Sequence, residues 1–178
     1  MSMNRKLYGF AVVLITLGSC QCSKPEDSKS VQDTTANNAS GQNSLTAKQK
    51  ADGWKILFNG QDLEGWRFFK GKENNSWRVI DGTLHCKPFD EANKRSDLIT
   101  TEQFTDFELV FDWKISPQGN SGVMFRVTEE FEEPYLSGPE YQVLDDEGYP
   151  GDVKDVQLTG SNFGMHAPSP TKILKPVG

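Results

Sequence analysis

Apolar and polar residues alternate along much of the chain after residue 50, and this alternation predicts β-strands. Residues 107–115 are the clearest case, because every second side chain is apolar while Glu108, Asp112 and Lys114 between them are charged. Successive side chains of a strand point to opposite faces, so one face of this strand should meet a core and the other water. Residues 121–127 alternate in the same way, and we expect the two strands to pair antiparallel.

Turn residues separate further strands. We predict these strands at residues 55–58, 66–69, 77–80, 83–87 and 140–145. The pair Asp81-Gly82 separates two of them and readily adopts positive φ, so it predicts a tight hairpin. The sequence shows neither a long amphipathic helix nor an internal repeat. Two facing sheets bury many one-sided strands most simply, so the predicted fold is all-β, a jelly-roll β-sandwich.

The first twenty residues have the pattern of an export signal. Arg5 and Lys6 precede an apolar run at residues 7–17, and small residues follow before Cys20. The run is shorter than the roughly 20 residues that span a membrane, so we do not expect a permanent transmembrane anchor. The end of the segment, Leu17-Gly18-Ser19-Cys20, resembles the bacterial lipobox and predicts lipid attachment at Cys20. The alternative is a plain secretory signal in which this cysteine stands by chance.

Residues 21–50 are mostly small and polar. Such a segment buries too little apolar surface to offset its ordering entropy, so we expect a disordered tether. The chain then divides into a signal peptide at residues 1–20, a tether at residues 21–50 and one domain at residues 51–178. Cys86 has no plausible partner within that domain, and a structural disulfide is not expected.

Charge narrows the range of partners. The formal net charge is −6, the sequence pI is about 5.0, and no stripe of Lys and Arg is present. Nucleic-acid binding needs clustered cations, so a nucleic-acid partner is not expected. The expected location is the bacterial cell envelope, in the periplasm or at the outer-membrane surface, with the lipid on Cys20 as the membrane contact.

Several motifs of the domain are similar to those of the 3-keto-disaccharide hydrolase family, over residues 53–178. The motifs are Leu57-Phe58-Asn59-Gly60, Gly65-Trp66, Ser121-Gly122-Val123-Met124-Phe125-Arg126 after Gly119-Asn120, and Gly138-Pro139-Glu140-Tyr141-Gln142-Val143-Leu144-Asp145. The resemblance implies a concanavalin A-like sandwich in a bacterial envelope protein. The chain departs from the family in ending before the strands that complete the sheets, which predicts an incomplete sandwich. It also has Phe163 where a tyrosine is expected.

The resemblance further implies cleavage of 3-keto-disaccharides or 3-keto-glucosides. A ketone at C3 acidifies the C2 proton, so a base can remove it, the C1 substituent leaves, and water adds to the resulting glucal. This route needs a base and a group that stabilises the enolate. Arg126 is the predicted stabilising donor, because it lies on the polar face of a strand in the family motif. Its alternative role is an ion pair with Asp112.

Glu140 is the predicted base or metal ligand, and Gln142 lies beside it on the same face of a strand. Solvated polar side chains on a sheet surface are the competing explanation for both. Asp112 either completes this cluster or simply lies on the polar face. His166 follows Gly164-Met165 in a loop, where it either shuttles protons at a cleft or is an ordinary exposed histidine.

A divalent cation is a possible cofactor of unknown identity. Two acidic sets, residues 129–133 and residues 145–147 with Asp152 and Asp155, offer the oxygen ligands that hard cations prefer. Neither has EF-hand spacing, and solvated loops are the simpler explanation. Trp66 and Trp77 are candidates for stacking on a sugar, whereas Trp113 belongs to an apolar stripe and is expected in the core.

Three functions remain open from the sequence. The leading one is the envelope enzyme just described, which acts on a small sugar substrate. The first rival is a non-catalytic, lectin-like carbohydrate-binding lipoprotein, because one fold serves many functions. The second rival is a scaffold or adhesion lipoprotein. A cluster of Arg, Glu and Gln on a sheet face favours the enzyme, whereas an aromatic platform without titratable residues favours the lectin.

Overall fold

The computed structural model describes residues 43–87 and 92–178, together with the backbone of residues 7–10. The predicted lipid attachment at Cys20 and most of the predicted signal and tether lie outside the described residues. No helix in the part of the chain that the structure describes is long and apolar enough to cross a membrane.

The described chain is built mainly of short strands, which confirms the all-β prediction. One short helix, α1, covers Ala47–Ala51. The strands are β1 (Leu7–Phe10), β2 (Trp54–Ile56), β3 (Trp66–Phe68), β4 (Trp77–Ile80), β5 (Thr83–Cys86), β6 (Leu98–Thr100), β7 (Phe107–Val110), β8 (Asn120–Met124) and β9 (Glu140–Leu144). Single 3₁₀ turns lie at Phe69–Gly71, Pro134–Leu136 and Asp155–Gln157.

The strands form one three-stranded sheet and three two-stranded sheets among the described residues. In the larger sheet, β1 lies between β2 and β7 and pairs parallel with both. The pairs β3–β6, β4–β5 and β8–β9 are antiparallel. Phe58, Phe69, Leu84, Ile115 and Val143 are almost completely buried and form the centre of the core. Burial of side chains of this size is the main stabilising contribution to such a fold.

The predicted hairpin at Asp81-Gly82 is confirmed. Both residues have positive φ, 47° for Asp81 and 74° for Gly82, as a two-residue hairpin turn requires. Strands β4 and β5 leave this turn in the register Ile80↔Thr83. The local sequence alone therefore determines this element.

The predicted pairing of residues 107–115 with residues 121–127 is wrong. Strand β7 ends at Val110 and lies beside β1, whereas β8 pairs along its whole length with β9. Asp145 supports the observed β8–β9 pairing, because its backbone N–H donates to the carbonyl of Gly119 at 3.0 Å and its carboxylate accepts from the N–H of Gln118 at 2.8 Å. These bonds join the turn before β8 to the end of β9. Alternation of apolar and polar residues predicts which face of a strand is apolar, but it does not predict which strand pairs with it.

Ordered structure begins before residue 51, within the segment predicted as tether. Helix α1 has a capping box, in which the Thr46 hydroxyl accepts from the N–H of Gln49 and the Gln49 side chain accepts from the N–H of Thr46. Asn43 donates to the carbonyl of Gly82 at 2.9 Å and ties this segment to the hairpin. The polar composition of this segment did not indicate the Thr46–Gln49 cap, because a cap depends on the positions of two polar residues and not on hydrophobicity.

Candidate active site

One face of the β8–β9 pair carries a concentrated set of polar side chains. Cross-strand partners lie on the same face, and the register pairs Gly122 with Gln142 and Met124 with Glu140. Asn120 lies on this face as well, because its side-chain oxygen accepts from Nε2 of Gln142 at 3.3 Å. We call this surface the Glu140 face. It brings together Glu140 and Gln142, as the sequence predicted.

Glu140 is half-buried, and its surroundings change its acidity. Burial raises the pKa of its carboxyl group above the usual range, and the negative charge of Asp97 raises it further. A carboxylate with a raised pKa is a stronger base than one in water, which suits proton abstraction near neutral pH. Gly122 leaves room for it, since a Cβ on Gly122 would lie 2.6 Å from both Cγ and Cδ of Glu140.

The backbone of β9 is fixed on both sides. Beyond β8, its other edge bonds to residues 160–163: the N–H of Gln142 donates to the carbonyl of Ser161 at 3.1 Å, and the N–H of Phe163 donates to the carbonyl of Glu140 at 2.9 Å. Gln142 is only 2% exposed. The Ser161 hydroxyl is buried with no hydrogen-bond partner among the described residues. Glu140 therefore projects from a rigid strand with polar groups beneath it.

Asp97 supplies a second carboxyl group from a different sheet. It directly precedes β6, and its carbonyl accepts from the N–H of Phe69 at 2.9 Å. Partial burial raises the pKa of Asp97; the charge of Glu133 also raises it, and Lys72 opposes the rise. Asp97 is exposed to solvent. Sequence reasoning missed this residue, and its one signal is an acidic residue placed immediately before an apolar strand.

Comparison with known proteins places this domain in a family. The family model for the 3-keto-alpha-glucoside-1,2-lyase-like domain matches residues 53–178, which is most of the chain. The chain belongs to this family. The match includes every residue of the Glu140 face and Asp97.

Two relatives are similar to this family member. A 3-keto-disaccharide hydrolase of Bacteroides thetaiotaomicron is 32% identical over 148 residues, which cover 75% of this chain and 51% of the relative. A crystal structure from Parabacteroides distasonis, of a protein assigned provisionally as a glycosyl hydrolase, is 34% identical and superposes with a TM-score of 0.64. That match covers 76% of this chain and 64% of the other. The chain thus spans about half the length of the curated relative.

Arg126 does not join the Glu140 face in this family member. Strand β8 ends at Met124, and Arg126 has a φ of 57°, which turns the chain away from the strand direction. Arg126 instead lines an apolar groove of about 650 Å³ together with Val123 and Tyr141, which are register partners on the opposite face of the β8–β9 pair. The predicted cluster of Arg126 with Glu140 is therefore absent from the described structure.

Asp112 and His166 also lie away from Glu140. Asp112 is exposed beyond the end of β7, and the described residues show no ion pair between it and Arg126. His166 is exposed in a turn closed by a bond from the N–H of Asn162 to its carbonyl at 3.0 Å. Asn162 in turn pairs with Tyr141, which points away from the Glu140 face. Catalytic roles for Arg126, Asp112 and His166 remain predictions that this geometry does not support.

The first acidic run forms ion pairs with basic residues. Glu129 accepts a bidentate interaction from the Arg67 guanidinium at 2.7 and 2.8 Å and a bond from the backbone N–H of Lys70 at 2.6 Å. These donors lower the pKa of Glu129 to about 2, with the Arg67 hydrogen bond as the largest cause. Lys70 also pairs with Glu132 at 2.6 Å, so the run is a solvated loop whose carboxylates form ion pairs.

The second acidic run stabilises turns. Asp145 is 4% exposed and accepts from the N–H groups of Gln118 and Gly148. Asp146 pairs with Lys172 at 2.6 Å and accepts from the N–H of Thr159 at 2.8 Å. No group of three or more His, Cys, Asp or Glu side chains suited to a metal ion occurs within residues 43–87 and 92–178.

The tryptophans suggested for sugar stacking have other partners. The indole N–H of Trp66 donates to the carbonyl of Leu57 at 2.7 Å, and that of Trp77 donates to the carbonyl of Ser96 at 3.0 Å. Trp113 lines the apolar groove that also contains Arg126. Trp66 and Trp77 therefore connect neighbouring segments, and neither lies on the Glu140 face.

Proposed function

We propose that this chain cleaves 3-keto-glycosides, with Glu140 as the base that removes the C2 proton of the substrate. The observation that carries the proposal is a half-buried carboxyl group, Glu140, which packs against Gly122 on a polar sheet face and whose pKa is raised by burial and by the charge of Asp97. The name of the Bacteroides relative, a 3-keto-disaccharide hydrolase, supports the same substrate class. Because the chain spans about half of that relative, the activity is proposed and not transferred.

The proposed reaction runs in two halves. Glu140 takes the C2 proton, and the C2–H electron pair forms the enolate, with its negative charge on the C3 oxygen. The enolate electrons then form the double bond between C2 and C1 as the C1–O bond breaks. Asp97 in its protonated form gives a proton to the departing oxygen. Water then adds across the glucal, so that its hydroxyl bonds to C1 and its second proton returns to C2. The net change is hydrolysis, and no oxidant or reductant is consumed.

Polar side chains of the Glu140 face can supply the other group that the reaction needs, a hydrogen-bond donor that stabilises the enolate. The negative charge of the enolate develops on the oxygen at C3, and a donor already fixed in place stabilises it at little reorganisation cost. The side-chain amide of Gln142 carries two N–H donors, of which one is used by Asn120. Gln142 is almost completely buried, so it orients Asn120, and we assign the donor to the substrate to the exposed side-chain amide of Asn120.

The activity is tested by incubating the full chain with 3-keto-trehalose and methyl 3-keto-glucoside, with and without a chelator. The proposal expects release of 3-keto-glucose, its near-complete loss in Glu140→Gln, and its retention in Ser121→Ala, a change on the other face of β8. Saturable sugar binding without release would overturn the enzyme and leave the lectin-like alternative. Loss of activity in both variants would show that the Glu140 face is not the site.

We also propose that the chain is held at the bacterial cell envelope by lipid on Cys20, in a mature form that lacks β1 of the described sheet. The charged, apolar and small-residue segments that precede Cys20 support this proposal. Cells given a labelled fatty acid should label the chain, and Cys20→Ser should abolish the label. Equal labelling of both forms would refute attachment at Cys20.

A further inference from the structure

The segment between β8 and β9 forms a closed loop at the base of the candidate site. The last register pair, Met124↔Glu140, places the exit and the return of this loop directly beside Glu140. The N–H of Phe125 donates to the carbonyl of Pro139 at 3.1 Å. The Ser137 hydroxyl accepts from the N–H of Thr128 at 3.1 Å and donates to its carbonyl at 3.2 Å. The residues enclosed by these hydrogen bonds, 129–136, are called the 129–136 loop.

Ion pairs fix the position of the 129–136 loop against β3. Arg67 of β3 makes a bidentate pair with Glu129, and Lys72 donates to the carbonyl of Glu132 at 3.0 Å. Strand β3 pairs with β6, and the N–H of Phe69, just after β3, donates a hydrogen bond to the carbonyl of Asp97. The loop is therefore attached at one end beside Glu140 and along its side to the strands that position Asp97.

The 129–136 loop displays large apolar side chains to solvent although it is firmly held. Phe131 is 46% exposed and Tyr135 is 64% exposed, whereas Pro134 between them is buried. Glu133, between the two rings in sequence, lies close enough to Asp97 for its charge to raise the pKa of Asp97, so this part of the loop borders the candidate site and offers exposed aromatic rings for binding. Aromatic rings with a polar edge, such as Tyr, suit ligands that have both an apolar face and hydroxyl groups.

We propose that the 129–136 loop binds the part of the substrate that leaves from C1, with Tyr135 as the principal contact. The inference rests on the proposed function and adds to it a binding subsite for the leaving sugar. The oxidised ring, whose C2 proton is removed, lies over Glu140 and Asp97. The second ring extends over the loop and contacts Tyr135 and Phe131. Arg67 is a positioning residue, which acts through Glu129.

The test compares two substrates that share the oxidised ring and differ in the leaving group. Tyr135→Ala should lower kcat/KM for 3-keto-trehalose about tenfold, mainly through KM, and leave methyl 3-keto-glucoside unchanged, because methanol does not reach the loop. Arg67→Ala should shift the same substrate ratio in the same direction. Ile173→Ala is the matched control, since Ile173 is 93% exposed and lies outside the loop.

The outcomes separate this inference from the proposed function. Equal losses on both substrates in Tyr135→Ala, or no loss on either, would overturn the subsite while cleavage by the wild-type chain would keep the proposed function. If the wild-type chain cleaves neither substrate, binding of trehalose is measured by calorimetry. Binding that Tyr135→Ala weakens and Ile173→Ala does not would support the loop as a sugar contact; unchanged or absent binding would overturn it.

Discussion

Gly122 is the position at which one small change tests the geometry of the site. It lies opposite Gln142 on the Glu140 face, and it is not among the residues with positive φ. Alanine is therefore compatible with its backbone. A Cβ there would lie 2.6 Å from Cγ and Cδ of Glu140, whereas carbon atoms in contact are about 3.5–4.0 Å apart. Oε1 of Glu140 would lie closer still, so the Glu140 side chain must then move by more than about 1 Å.

The expected effects on stability and activity differ sharply. Glu140 has a flexible side chain, so moving it costs about 0.5–1.5 kcal/mol, and alanine in a strand recovers about 0.5–1 kcal/mol relative to glycine. The free energy of unfolding should change by less than about 1 kcal/mol. A reacting group displaced by 1 Å can reduce the rate about 100-fold, and we expect a loss of kcat of this order in Gly122→Ala.

Steady-state kinetics on methyl 3-keto-glucoside and urea unfolding measure the two quantities on one preparation. Ser121→Ala, on the neighbouring position and the other face, is the control and should retain wild-type kcat. A Gly122→Ala variant with wild-type kcat would refute the placement of Glu140 as the reacting group. A variant that is inactive because it is unfolded would refute the reasoning about the flexible side chain.

Three further predictions follow from the charged residues. Asp97→Asn removes the proposed acid and also the charge that raises the pKa of Glu140, so kcat/KM should fall and the acid limb of the remaining activity should move to lower pH; an unmoved limb would show that the charge of Asp97 does not act on Glu140. Glu129 has a folded pKa of about 2, below its ordinary 4.5, so its stabilising contribution is present above about pH 4.5 and lost as pH falls towards 2. The difference in unfolding free energy between wild type and Glu129→Gln should accordingly vanish in acid, and a difference independent of pH would contradict this. Asp145→Ala removes the buried acceptor of two backbone N–H groups and should cost about 1–3 kcal/mol in urea unfolding; a change within experimental error would show that water replaces it.

Local patterns predicted the elements that depend on neighbouring residues. The Asp81-Gly82 hairpin follows from backbone preferences of two residues, and the faces of β9 follow from alternation, which placed Glu140 and Gln142 together. Strand pairing did not follow, because the pairing of β8 with β9 is supported by bonds between Asp145 and residues before β8. Those contacts join residues more than twenty positions apart.

The candidate site was likewise predicted only where it depends on neighbouring residues in the sequence. Arg126 was expected beside Glu140 by extending the alternation of β8, but the strand ends first and positive φ redirects the chain. Asp97 was missed because its neighbour Glu140 lies in a different sheet, 43 positions later in the sequence, and no local spacing connects them. The acidic run at residues 129–133 gave no hint of its partners, which come from β3 and the turn after it.

The most direct test of the central claim follows the hydrogen at C2 of the substrate. Cleavage of methyl 3-keto-glucoside in D₂O, stopped early and compared with a sample of 3-keto-glucose without protein, is analysed by mass spectrometry and NMR. If Glu140 removes the C2 proton, the released 3-keto-glucose carries deuterium at C2, and Glu140→Gln releases none of it. Release of product that retains its original C2 hydrogen would contradict the account, because it would show direct hydrolysis at C1.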